Sequence, residues 1–518
     1  MRILIEDQAH CCGYELECMV KLFFQAASVP AEWAEKATPQ PQEEYLYAGA
    51  SVVEQGEGET RYRLTMRLCC TDRETGALAD SAAERQVSCP PEQSQKTFEF
   101  HFGKMAYDLL SAATGVRPPW GILTGVRPVK LVQRCLSQGM TQGETEAFFR
   151  DRYVSPEKIA LALETARRQK PILERVTPKS YSLYISIPFC PSRCSYCSFV
   201  SHSIEKAAKL VEPYVQLLCR ELEETARLAE GLGLTLSSIY MGGGTPTTLS
   251  AGQMKRVTDV ISRCFPVEET VEYTIEAGRP DTIDREKLEV MREAGVNRVS
   301  INPQTLNDRV LEAVGRKHTA AEVLEAIDLA RRVGFDSINC DLIAGLPGDT
   351  PESFRDTLDR LIQVGPENIT VHTLSVKRAA RLRQEGEYLE AVHNPAAPMV
   401  EYAQQALGRA GYGPYYLYRQ RDTLGNLENT GFCRPGKESF YNTVIMEEVQ
   451  TILAAGAGGT TKLKDPFSIY IERAFNFKYP YEYIERFSEI LERKEQVKRF
   501  YERVFNTQLF SDAGLPGQ

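Results

Sequence analysis

The chain has 518 residues, which is too long for one ordinary hydrophobic core and predicts two or three domains. Its composition is that of a soluble globular protein, with 42% hydrophobic residues, 25% charged residues and a mean hydropathy of -0.32. The formal charge of -9 and the isoelectric point of about 5.5 argue against a broad phosphate-binding surface, so we expect no nucleic-acid partner.

The amino terminus, MRILIEDQAH, has neither the basic region nor the apolar core of a secretion signal. No run in the chain approaches the roughly 20 apolar residues of a membrane span. We therefore expect a cytoplasmic protein without a membrane span. The 14 cysteines are scattered along the chain, and outside one short loop we interpret them as reduced, mostly buried thiols and not as a disulfide framework.

Residues 1–170 are predicted to form an α+β domain of unknown role. RYRLTMRL (61–68) alternates polar and apolar residues with the period of a half-buried strand, and KTFEFHF (96–102) predicts a further strand with a helix after it. The segment PPWGILTGVRPVKL (118–131) is rich in Pro and Gly before it turns helical. None of these segments carries a catalytic constellation.

Residues 180–376 show a different sequence pattern, in which short β-branched runs alternate with long segments predicted to be amphipathic helices. The runs are SLYISI, SSIYM, VEYTIE, RVSIN, SINCDLI and ITVHTL, and the helices after them are predicted at 204–231, 251–264, 283–294, 307–315, 351–363 and 377–391. Six such units predict an α/β fold with a parallel sheet, closer to a partial (β/α)6 barrel than to a closed barrel of eight. Functional residues are then expected at the carboxyl ends of the strands.

Residues 377–518 are predicted to form a C-terminal extension that covers the substrate and ends in a helical tail. The extension contains the Gly- and Tyr-rich stretch GYGPYYLYRQ and the glycine turn AAGAGGT (454–460). The tail, YEYIERFSEILERKEQVKRFYERVF, is strongly charged, and we interpret it as a solvated amphipathic helix.

The segment YISIPFCPSRCSYCSF (184–199) carries Cys190, Cys194 and Cys197. Two cysteines three residues apart are typical of a redox pair, and four can bind zinc, but this C-x3-C-x2-C spacing fits neither. A cluster of four irons and four sulfides normally takes four thiolates, so three leave one iron open to another ligand. The alternative is three structural thiols that are adjacent by chance.

This run resembles the signature of the radical S-adenosylmethionine superfamily. The resemblance implies a [4Fe-4S] cluster on Cys190, Cys194 and Cys197, with the amino and carboxylate groups of S-adenosylmethionine on the open iron. It also implies that an electron from the cluster cleaves S-adenosylmethionine to a 5′-deoxyadenosyl radical. The motifs MGGGTPT (241–247), TIEAGRPDT, NRVSINPQ and NCDLIAGLPGDTPESF follow in the order that the superfamily shows.

The resemblance places the contacts to S-adenosylmethionine at the strand ends. The glycine turn is expected to hold the methionine amine, Glu276 the ribose hydroxyls and Arg316 the methionine carboxylate, with Gln304 facing the ligand. Taken singly, each residue is equally consistent with packing, capping or a surface position. The full set of expected contacts is Tyr184, Tyr196, Gly244, Thr245, Glu276, Gln304, Arg316, Asp341, Ile343 and Ser375.

Within the superfamily the chain resembles the coproporphyrinogen oxidase-like branch, and over nearly its whole length the HemZ-type coproporphyrinogen dehydrogenases. The N-terminal PWGILTGVRPVKL and the C-terminal YYLYRQ and GNLEN segments carry this finer resemblance. Two positions depart from the oxidases of the branch. Phe199 stands where they have a further cysteine, as in the HemW-type haem chaperones, and Ser186 stands where histidine is usual.

The resemblance implies an enzyme that oxidatively decarboxylates coproporphyrinogen III to protoporphyrinogen IX in haem biosynthesis. A haem-binding chaperone and another radical reaction on a tetrapyrrole remain open as alternatives. The expected partners are a tetrapyrrole substrate, a reductive electron donor of the flavodoxin or ferredoxin type and an electron acceptor. The side chains expected at the substrate carboxylates are Lys377, Arg378 and Arg381, with Arg419 and Arg421 as further basic candidates.

Overall fold

The computed structural model of the chain describes residues 1–24, 31–33, 43–71, 77–125, 127–197, 202–375, 395–420 and 423–513. The chain separates into two compact units. The first comprises Met1–Leu163 with Arg419–Asn426, and the second comprises the described parts of Glu164–Tyr388, Pro395–Tyr418 and Leu427–Gln518. Within these ranges, none of the helices combines the length and apolar character that crossing a bilayer requires. The predicted three-part division of the chain stays a prediction.

The first unit is built on a five-stranded sheet with the order β2-β1-β3-β4-β5. Strand β1 pairs in parallel with β2 and β3, while β3, β4 and β5 form an antiparallel meander. The strands are β1 (Arg2–Ile5), β2 (Ala31–Trp33), β3 (Tyr45–Gln55), β4 (Thr60–Thr71) and β5 (Leu78–Cys89). The helices that follow along the chain from residue 13 to residue 173 are Gly13–Phe23, Ser94–Thr114, Pro128–Ser137, Gln142–Arg150 and Pro156–Leu173.

The predicted strand at 96–102 is wrong, because this segment lies inside the helix Ser94–Thr114. Phe98, Phe102 and Met105 are buried against the sheet, at the spacing of successive turns on one helix face. In a run of seven residues the same aromatic side chains also fit a two-residue period. The length of the element and its packing against the sheet show that the segment is a helix. The predicted strand at 61–68 is confirmed as part of β4.

The second unit contains an eleven-stranded sheet with the order β14-β15-β13-β12-β11-β10-β9-β6-β16-β17-β18. Its six central strands, from β6 to β13, all run parallel. These six are β6 (Ser180–Ile187), β9 (Thr235–Gly243), β10 (Glu272–Glu276), β11 (Arg298–Ser300), β12 (Ile338–Ala344) and β13 (Asn368–Thr373). The short strands β7 (Phe189–Cys190) and β8 (His202–Ser203) form a separate parallel pair.

Strands from the C-terminal part of the chain extend this sheet at both edges. On one side β15 pairs antiparallel with β13, and on the other β16 pairs in parallel with β6, followed by antiparallel β17 and β18. The sequence did not predict these pairings. The five strands are β14 (Gly413–Arg419), β15 (Glu428–Cys433), β16 (Thr451–Ala455), β17 (Thr460–Lys464) and β18 (Ile471–Phe475).

Helices connect the parallel strands and complete the predicted partial (β/α)6 barrel, so the predicted fold class is confirmed. Several begin at a side chain that accepts a backbone N–H, including Ser250 and Thr319, which each form a capping box. The helix Ala320–Val333 was not predicted, and the predicted helix at 377–391 lies outside the described residues. The helices of the second unit are Ile204–Gly231, Ala251–Cys264, Arg285–Glu293, Asp308–Ala313, Ala320–Val333, Pro351–Val364, Ala396–Arg409, Phe440–Glu447, Pro480–Glu485 and Phe487–Ala513.

Candidate active site

The residues expected to contact S-adenosylmethionine lie along one edge of the central sheet. Because parallel strands all end at the same edge, chain segments that are distant in sequence meet there. Tyr184 lies in the second half of β6 and Glu276 is the last residue of β10, while Asp341 is the middle residue of β12 and Ile343 lies two residues further on. Four of the expected residues lie within four residues after a strand: Gly244 and Thr245 after β9, Gln304 after β11 and Ser375 after β13.

The three cysteines of the signature lie on one loop. Cys190 belongs to the short strand β7, and the backbone N–H of Cys197 donates to the carbonyl of Cys194 over 3.2 Å. Two hydrogen bonds hold the loop to the turn after the helix Asp308–Ala313: Ser195 N–H to the carbonyl of Val314 (3.0 Å) and Ser192 Oγ to that of Gly315 (3.0 Å). All three cysteines are partly exposed.

The chemistry of this loop fits an iron–sulfur cluster better than a single metal ion. No group of three or more His, Cys, Asp or Glu side chains among the described residues is arranged around one ion. A four-iron cluster does not require the three thiolates to surround one ion, because each thiolate binds a separate iron. Donors also lie beside two of the sulfurs: Thr245 Oγ1 is 3.5 Å from Cys190 Sγ, and Arg279 Nη1 is 3.9 Å from Cys194 Sγ. Such donors stabilise thiolates.

The turn Gly242–Gly244 leaves no room for side chains. A Cβ on Gly242 would lie 2.9 Å from the Glu276 carboxylate, and one on Gly244 would lie 2.6 Å from the carbonyl oxygen of Phe189. Gly243 has a φ of +105°, which an L side chain rarely adopts. The N–H of Gly244 donates to the carbonyl of Ile187 (2.8 Å), so this backbone lies directly against the segment that leads into the cysteine loop.

Glu276 lies between an aromatic stack and the glycine turn. The Tyr240 hydroxyl donates to Glu276 Oε1 over 2.5 Å. The ring of Tyr240 stacks on Tyr441 at 4.4 Å and on Tyr184 at 6.3 Å. Burial raises the pKa of Glu276 to about 7, against the opposing effect of the Tyr240 hydrogen bond. Near neutral pH this carboxylate is therefore balanced between an acceptor-only form and a protonated form.

Gln304 and Asp341 are joined through their backbones. The N–H of Gln304 donates to the carbonyl of Asp341 (2.9 Å), and the Gln304 carbonyl accepts from the N–H of Ile343 (3.0 Å). Gln304 has a φ of +67°, an uncommon conformation for a residue with a side chain. Its Oε1 is buried without a hydrogen-bond partner among the described residues. A bound ligand with a donor group would satisfy this oxygen.

The Asp341 carboxylate is held by two neighbours. Asn339 Nδ2 donates to Oδ1 over 2.8 Å, and His372 Nε2 lies 3.8 Å from Oδ2. Burial by itself would raise the pKa of Asp341, but His372 and Asn339 together keep it below its ordinary value. Asp341 is therefore an ionised acceptor at neutral pH. The sequence analysis did not identify His372, although it lies on the sixth strand beside the expected site.

Arg316 is buried between the cysteine loop and the strand ends. Its Nη1 donates to the Tyr196 hydroxyl over 3.0 Å, and its Nη2 donates to the carbonyls of Gly278 (2.7 Å) and Asn302 (2.8 Å). Its Nε is buried and has no hydrogen-bond partner in the part of the chain that the structure describes. One donor of this guanidinium is thus unused, as a carboxylate-binding arginine requires.

Ser186, one of the two positions that depart from the expected pattern, has a structural partner. Its Oγ donates to the carbonyl of Ala457 over 2.7 Å, in the glycine turn that follows β16. Gly456 in that turn has a φ of +93°, and a Cβ there would lie 2.4 Å from the carbonyl oxygen of Ser186. The predicted turn at 454–460 therefore packs against the end of β6. A hydroxyl fits this contact by donating one short bond.

The predicted basic residues at the substrate are placed only in part. Lys377, Arg378, Arg381 and Arg421 lie outside the described residues, as does Phe199. Arg419 is 2% exposed and belongs to the first unit. There its Nη1 donates to the carbonyls of Leu123 and Gly125, and its guanidinium lies 5.7 Å from the centre of the Trp120 ring. These contacts favour a structural role for Arg419.

Besides His372, three further residues beside the site were missed by the sequence analysis. The sequence could have identified Tyr240, because this residue lies two positions before Gly242 on the same strand and therefore faces the same side of the sheet. Arg279 stood in the quoted motif TIEAGRPDT but received no role. Tyr441 lies on the helix Phe440–Glu447, and nothing in its local sequence indicates that it stacks on Tyr240.

The chain is similar in sequence to several known proteins. Residues 184–361 match the model of the Radical SAM superfamily. The oxygen-independent coproporphyrinogen-III oxidase-like protein HemZ of Bacillus subtilis (strain 168) is 41% identical over 404 residues, covering 77% of this chain and 80% of HemZ. The heme chaperone HemW of the same organism is 32% identical over 310 residues, covering 58% of this chain and 77% of HemW.

A similar solved structure is that of the coproporphyrinogen III oxidase HemN from Escherichia coli, described as a radical SAM enzyme. It is 26% identical in sequence, with a TM-score of 0.49, and the match covers 62% of this chain and 72% of HemN.

Proposed function

The chain belongs to the radical S-adenosylmethionine superfamily and, within it, to the family of the coproporphyrinogen-III oxidase-like protein HemZ, and from this premise we propose that it oxidatively decarboxylates coproporphyrinogen III to protoporphyrinogen IX. The observation that carries the proposal is the likeness to HemZ, at 41% identity over 80% of that protein's length. It is an enzyme of the radical S-adenosylmethionine type, and its place is in haem biosynthesis.

The cofactors of this enzyme are a [4Fe-4S] cluster and S-adenosylmethionine. We assign the cluster to Cys190, Cys194 and Cys197, which share one loop and are all partly exposed. When bound, the two cofactors supply a carbon-centred radical that can take a hydrogen atom from an unactivated carbon. The ten expected contact residues, from Tyr184 to Ser375, are proposed to hold S-adenosylmethionine.

The polar side chains of the site suit that ligand. Asp341 is ionised and partly satisfied, so it can accept a further bond from a hydroxyl group. Gln304 Oε1 and Arg316 Nε are buried without partners among the described residues and supply one acceptor and one donor. The crowded glycine turn brings backbone groups, without side chains, to the same edge.

The proposed reaction makes further demands on the protein. Each propionate that becomes a vinyl group loses one hydrogen atom, one CO2 and one electron, so an electron acceptor is required as well as a reductant. The protein must orient the propionate and exclude water while a reactive species is present. We propose Lys377, Arg378 and Arg381 as the partners of the remaining carboxylates, an electron donor of the flavodoxin or ferredoxin type, and a cytoplasmic location.

A haem chaperone is the second candidate. HemW of Bacillus subtilis is 32% identical over 310 residues. Phe199 stands where the resemblance to the oxidases implies a further cysteine, and this favours the chaperone. A chaperone would keep the cluster loop and bind haem without converting coproporphyrinogen. The two functions therefore differ in their product and in the tetrapyrrole that they bind tightly.

One assay separates these functions. The reconstituted protein is incubated without oxygen with coproporphyrinogen III, S-adenosylmethionine, a reductant and an electron acceptor, and vinyl products are followed by chromatography. Formation of protoporphyrinogen supports the enzyme. Production of 5′-deoxyadenosine without any vinyl product, together with stoichiometric haem binding, would exclude the oxidase and support the chaperone.

The cluster assignment is tested separately with single Cys→Ser variants. Iron and sulfide content should fall in the variants of Cys190, Cys194 and Cys197 and stay at the wild-type level in Cys340→Ser. Cys340 is the matched control, because it is fully buried in β12 beside Asp341, and burial raises the pKa of its thiol. A full cluster in Cys194→Ser would contradict the assignment.

A further inference from the structure

Arg279 lies beside the cysteine loop and has no role in the function proposed above. Its side chain is buried, with 3% of the residue exposed. Its Nη1 donates to Ser192 Oγ over 3.1 Å and lies 3.9 Å from Cys194 Sγ, within hydrogen-bonding distance of a sulfur. The guanidinium therefore contacts both the first half of the loop and one of the three thiols.

The geometry of Arg279 is fixed from its other side. Its Nε and Nη2 donate to the two oxygens of Asp281 over 3.0 and 3.1 Å, a bidentate pair. Thr282 Oγ1 donates to the Arg279 carbonyl over 2.7 Å, and His318 Nδ1 lies 3.9 Å from Asp281 Oδ1. The guanidinium thus points one edge at Asp281 and the opposite nitrogen at the loop.

A buried positive charge at this distance acts on the electronic properties of a bound cluster. Reduction adds one electron to a cluster and its thiolates, and a neighbouring cation stabilises the added negative charge. Hydrogen bonds to the sulfurs raise the reduction potential of iron–sulfur clusters for the same reason. Because Arg279 is shielded from water, its charge is screened less than that of a surface arginine.

We propose that Arg279 positions the Cys194 thiolate and raises the reduction potential of the cluster that this thiolate ligates. Asp281 opposes this effect, because its carboxylate places a negative charge next to the guanidinium. The inference rests on the proposed cluster site and is independent of the proposed substrate. Arg279 is a positioning residue and does not contact the substrate.

Arg279 is distinct from Arg316, the other buried arginine near the loop. Arg316 donates to Tyr196, Gly278 and Asn302 and keeps one donor unused, as binding of a ligand carboxylate requires. Three nitrogens of Arg279 are already engaged by Asp281, Ser192 and Cys194. We therefore expect Arg279 variants to change the cluster potential and to leave the affinity for S-adenosylmethionine unchanged.

The test is a redox titration of the reconstituted full chain without oxygen, with the reduced cluster followed by electron paramagnetic resonance. In Arg279→Gln the ratio of reduced to oxidised cluster at a fixed potential should fall at least about tenfold, a shift of about 59 mV for a one-electron couple. Asp281→Asn should shift the potential in the opposite direction, and Arg279→Lys should lie between Arg279→Gln and the wild type.

Arg285→Gln is the matched control. It makes the same change of charge on the neighbouring helix Arg285–Glu293, where the Arg285 side chain is 57% exposed and pairs with Glu289. Its potential should equal that of the wild type, because water screens an exposed charge. Iron and sulfide content, measured on each variant, shows how much cluster has assembled.

Two results of the redox titration would overturn the proposed role of Arg279. A wild-type potential in Arg279→Gln, or shifts of the same sign in Arg279→Gln and Asp281→Asn, would overturn it, since general loosening of the loop has no reason to reverse sign. If Arg279→Gln binds no cluster, the signs of the shifts in Arg279→Lys and Asp281→Asn decide instead. A wild-type chain that binds no cluster would overturn the cluster site itself, and this inference with it.

Discussion

The Tyr240 hydroxyl donates a 2.5 Å hydrogen bond to Oε1 of Glu276. This contact joins an aromatic stack to the carboxylate that we expect to bind the ribose of S-adenosylmethionine. Burial raises the pKa of Glu276 to about 7, and the Tyr240 bond acts in the opposite direction by stabilising the ionised form. The protonation of Glu276 near neutral pH therefore depends on a residue one strand away.

The first prediction concerns the pH dependence of S-adenosylmethionine binding. Ionised Glu276 accepts hydrogen bonds from hydroxyl groups better than the protonated acid does, so affinity should fall as the pH drops below about 7. In Tyr240→Phe the ionised form loses its donor, so the pKa of Glu276 should rise and the midpoint should move to higher pH. Anaerobic titrations between pH 6 and 9 measure this shift.

The readout is the difference in midpoint pH between each variant and the wild type. S-adenosylmethionine itself titrates in the same pH range, so the profile of a single protein does not report on Glu276 alone. Tyr441→Phe is the control, since it removes a hydroxyl from the same aromatic stack without removing the Tyr240 donor. Its midpoint should match that of the wild type. Identical pH profiles for Tyr240→Phe and the wild type would show that Tyr240 does not control Glu276.

The second prediction is that Glu276→Gln stabilises the ligand-free protein at alkaline pH. The pKa of Glu276 is about 7 in the folded protein against an ordinary value of 4.5, so between these values the folded state binds more protons than the unfolded state. Stability should therefore fall as the pH rises from about 4.5 to about 7 and stay lowered above it. Glutamine avoids this cost, which is about 3 kcal/mol for a pKa raised from 4.5 to about 7.

Urea unfolding at pH 8 and pH 5 measures the effect. Glu276→Gln should be more stable than the wild type at pH 8, and the difference should shrink to about 1 kcal/mol at pH 5, where the folded wild type is protonated and the unfolded side chain is only partly ionised. The same variant should bind S-adenosylmethionine more weakly. Equal stability of the two proteins at pH 8 would contradict the raised pKa.

The third prediction tests the glycine turn. In Gly244→Ala the new Cβ would lie 2.6 Å from the carbonyl oxygen of Phe189, a contact that the rigid backbone on both sides cannot relieve cheaply. The loop that begins at Cys190 should be displaced, with loss of cluster content and of S-adenosylmethionine binding. Iron and sulfide counts and an anaerobic binding titration measure both.

Gly252→Ala is the matched control for this substitution. Gly252 lies at the start of the helix Ala251–Cys264, and a Cβ there would meet nothing within 4 Å. Alanine also has the higher helix propensity, so we expect unchanged cluster content and equal or slightly higher stability. Similar losses in both variants would indicate a general folding defect and would count against a specific role of the turn.

The fourth prediction concerns Arg316. Arg316→Ala should weaken S-adenosylmethionine binding by about 2 kcal/mol, roughly 30-fold, because a buried carboxylate would lose its charged partner. Arg285→Ala is the control, since it removes an arginine that is 57% exposed and pairs with Glu289, away from the expected contacts. Its affinity should change little. Unchanged affinity in Arg316→Ala would exclude Arg316 as the carboxylate partner.

The sequence by itself determined the parallel sheet and the edge at which the site lies. Strand and helix periods are local properties, and once six strands are known to run parallel their carboxyl ends must meet. Glu276, Gln304 and Asp341 could therefore be assigned to one edge without knowledge of any contact. The three cysteines could be assigned to one loop because they are adjacent in the chain.

Only the tertiary structure decided which side chains touch. The helix at Phe98 replaced a predicted strand because packing against the sheet selects between two periods that a short run satisfies equally. Tyr441 reaches Tyr240, and Ala457 reaches Ser186, because C-terminal segments pack against strands that lie far from them in sequence. The same reason applies to Arg279 and Cys194, since a hydrogen bond depends on distance in space, and periodicity along the chain carries no information about it.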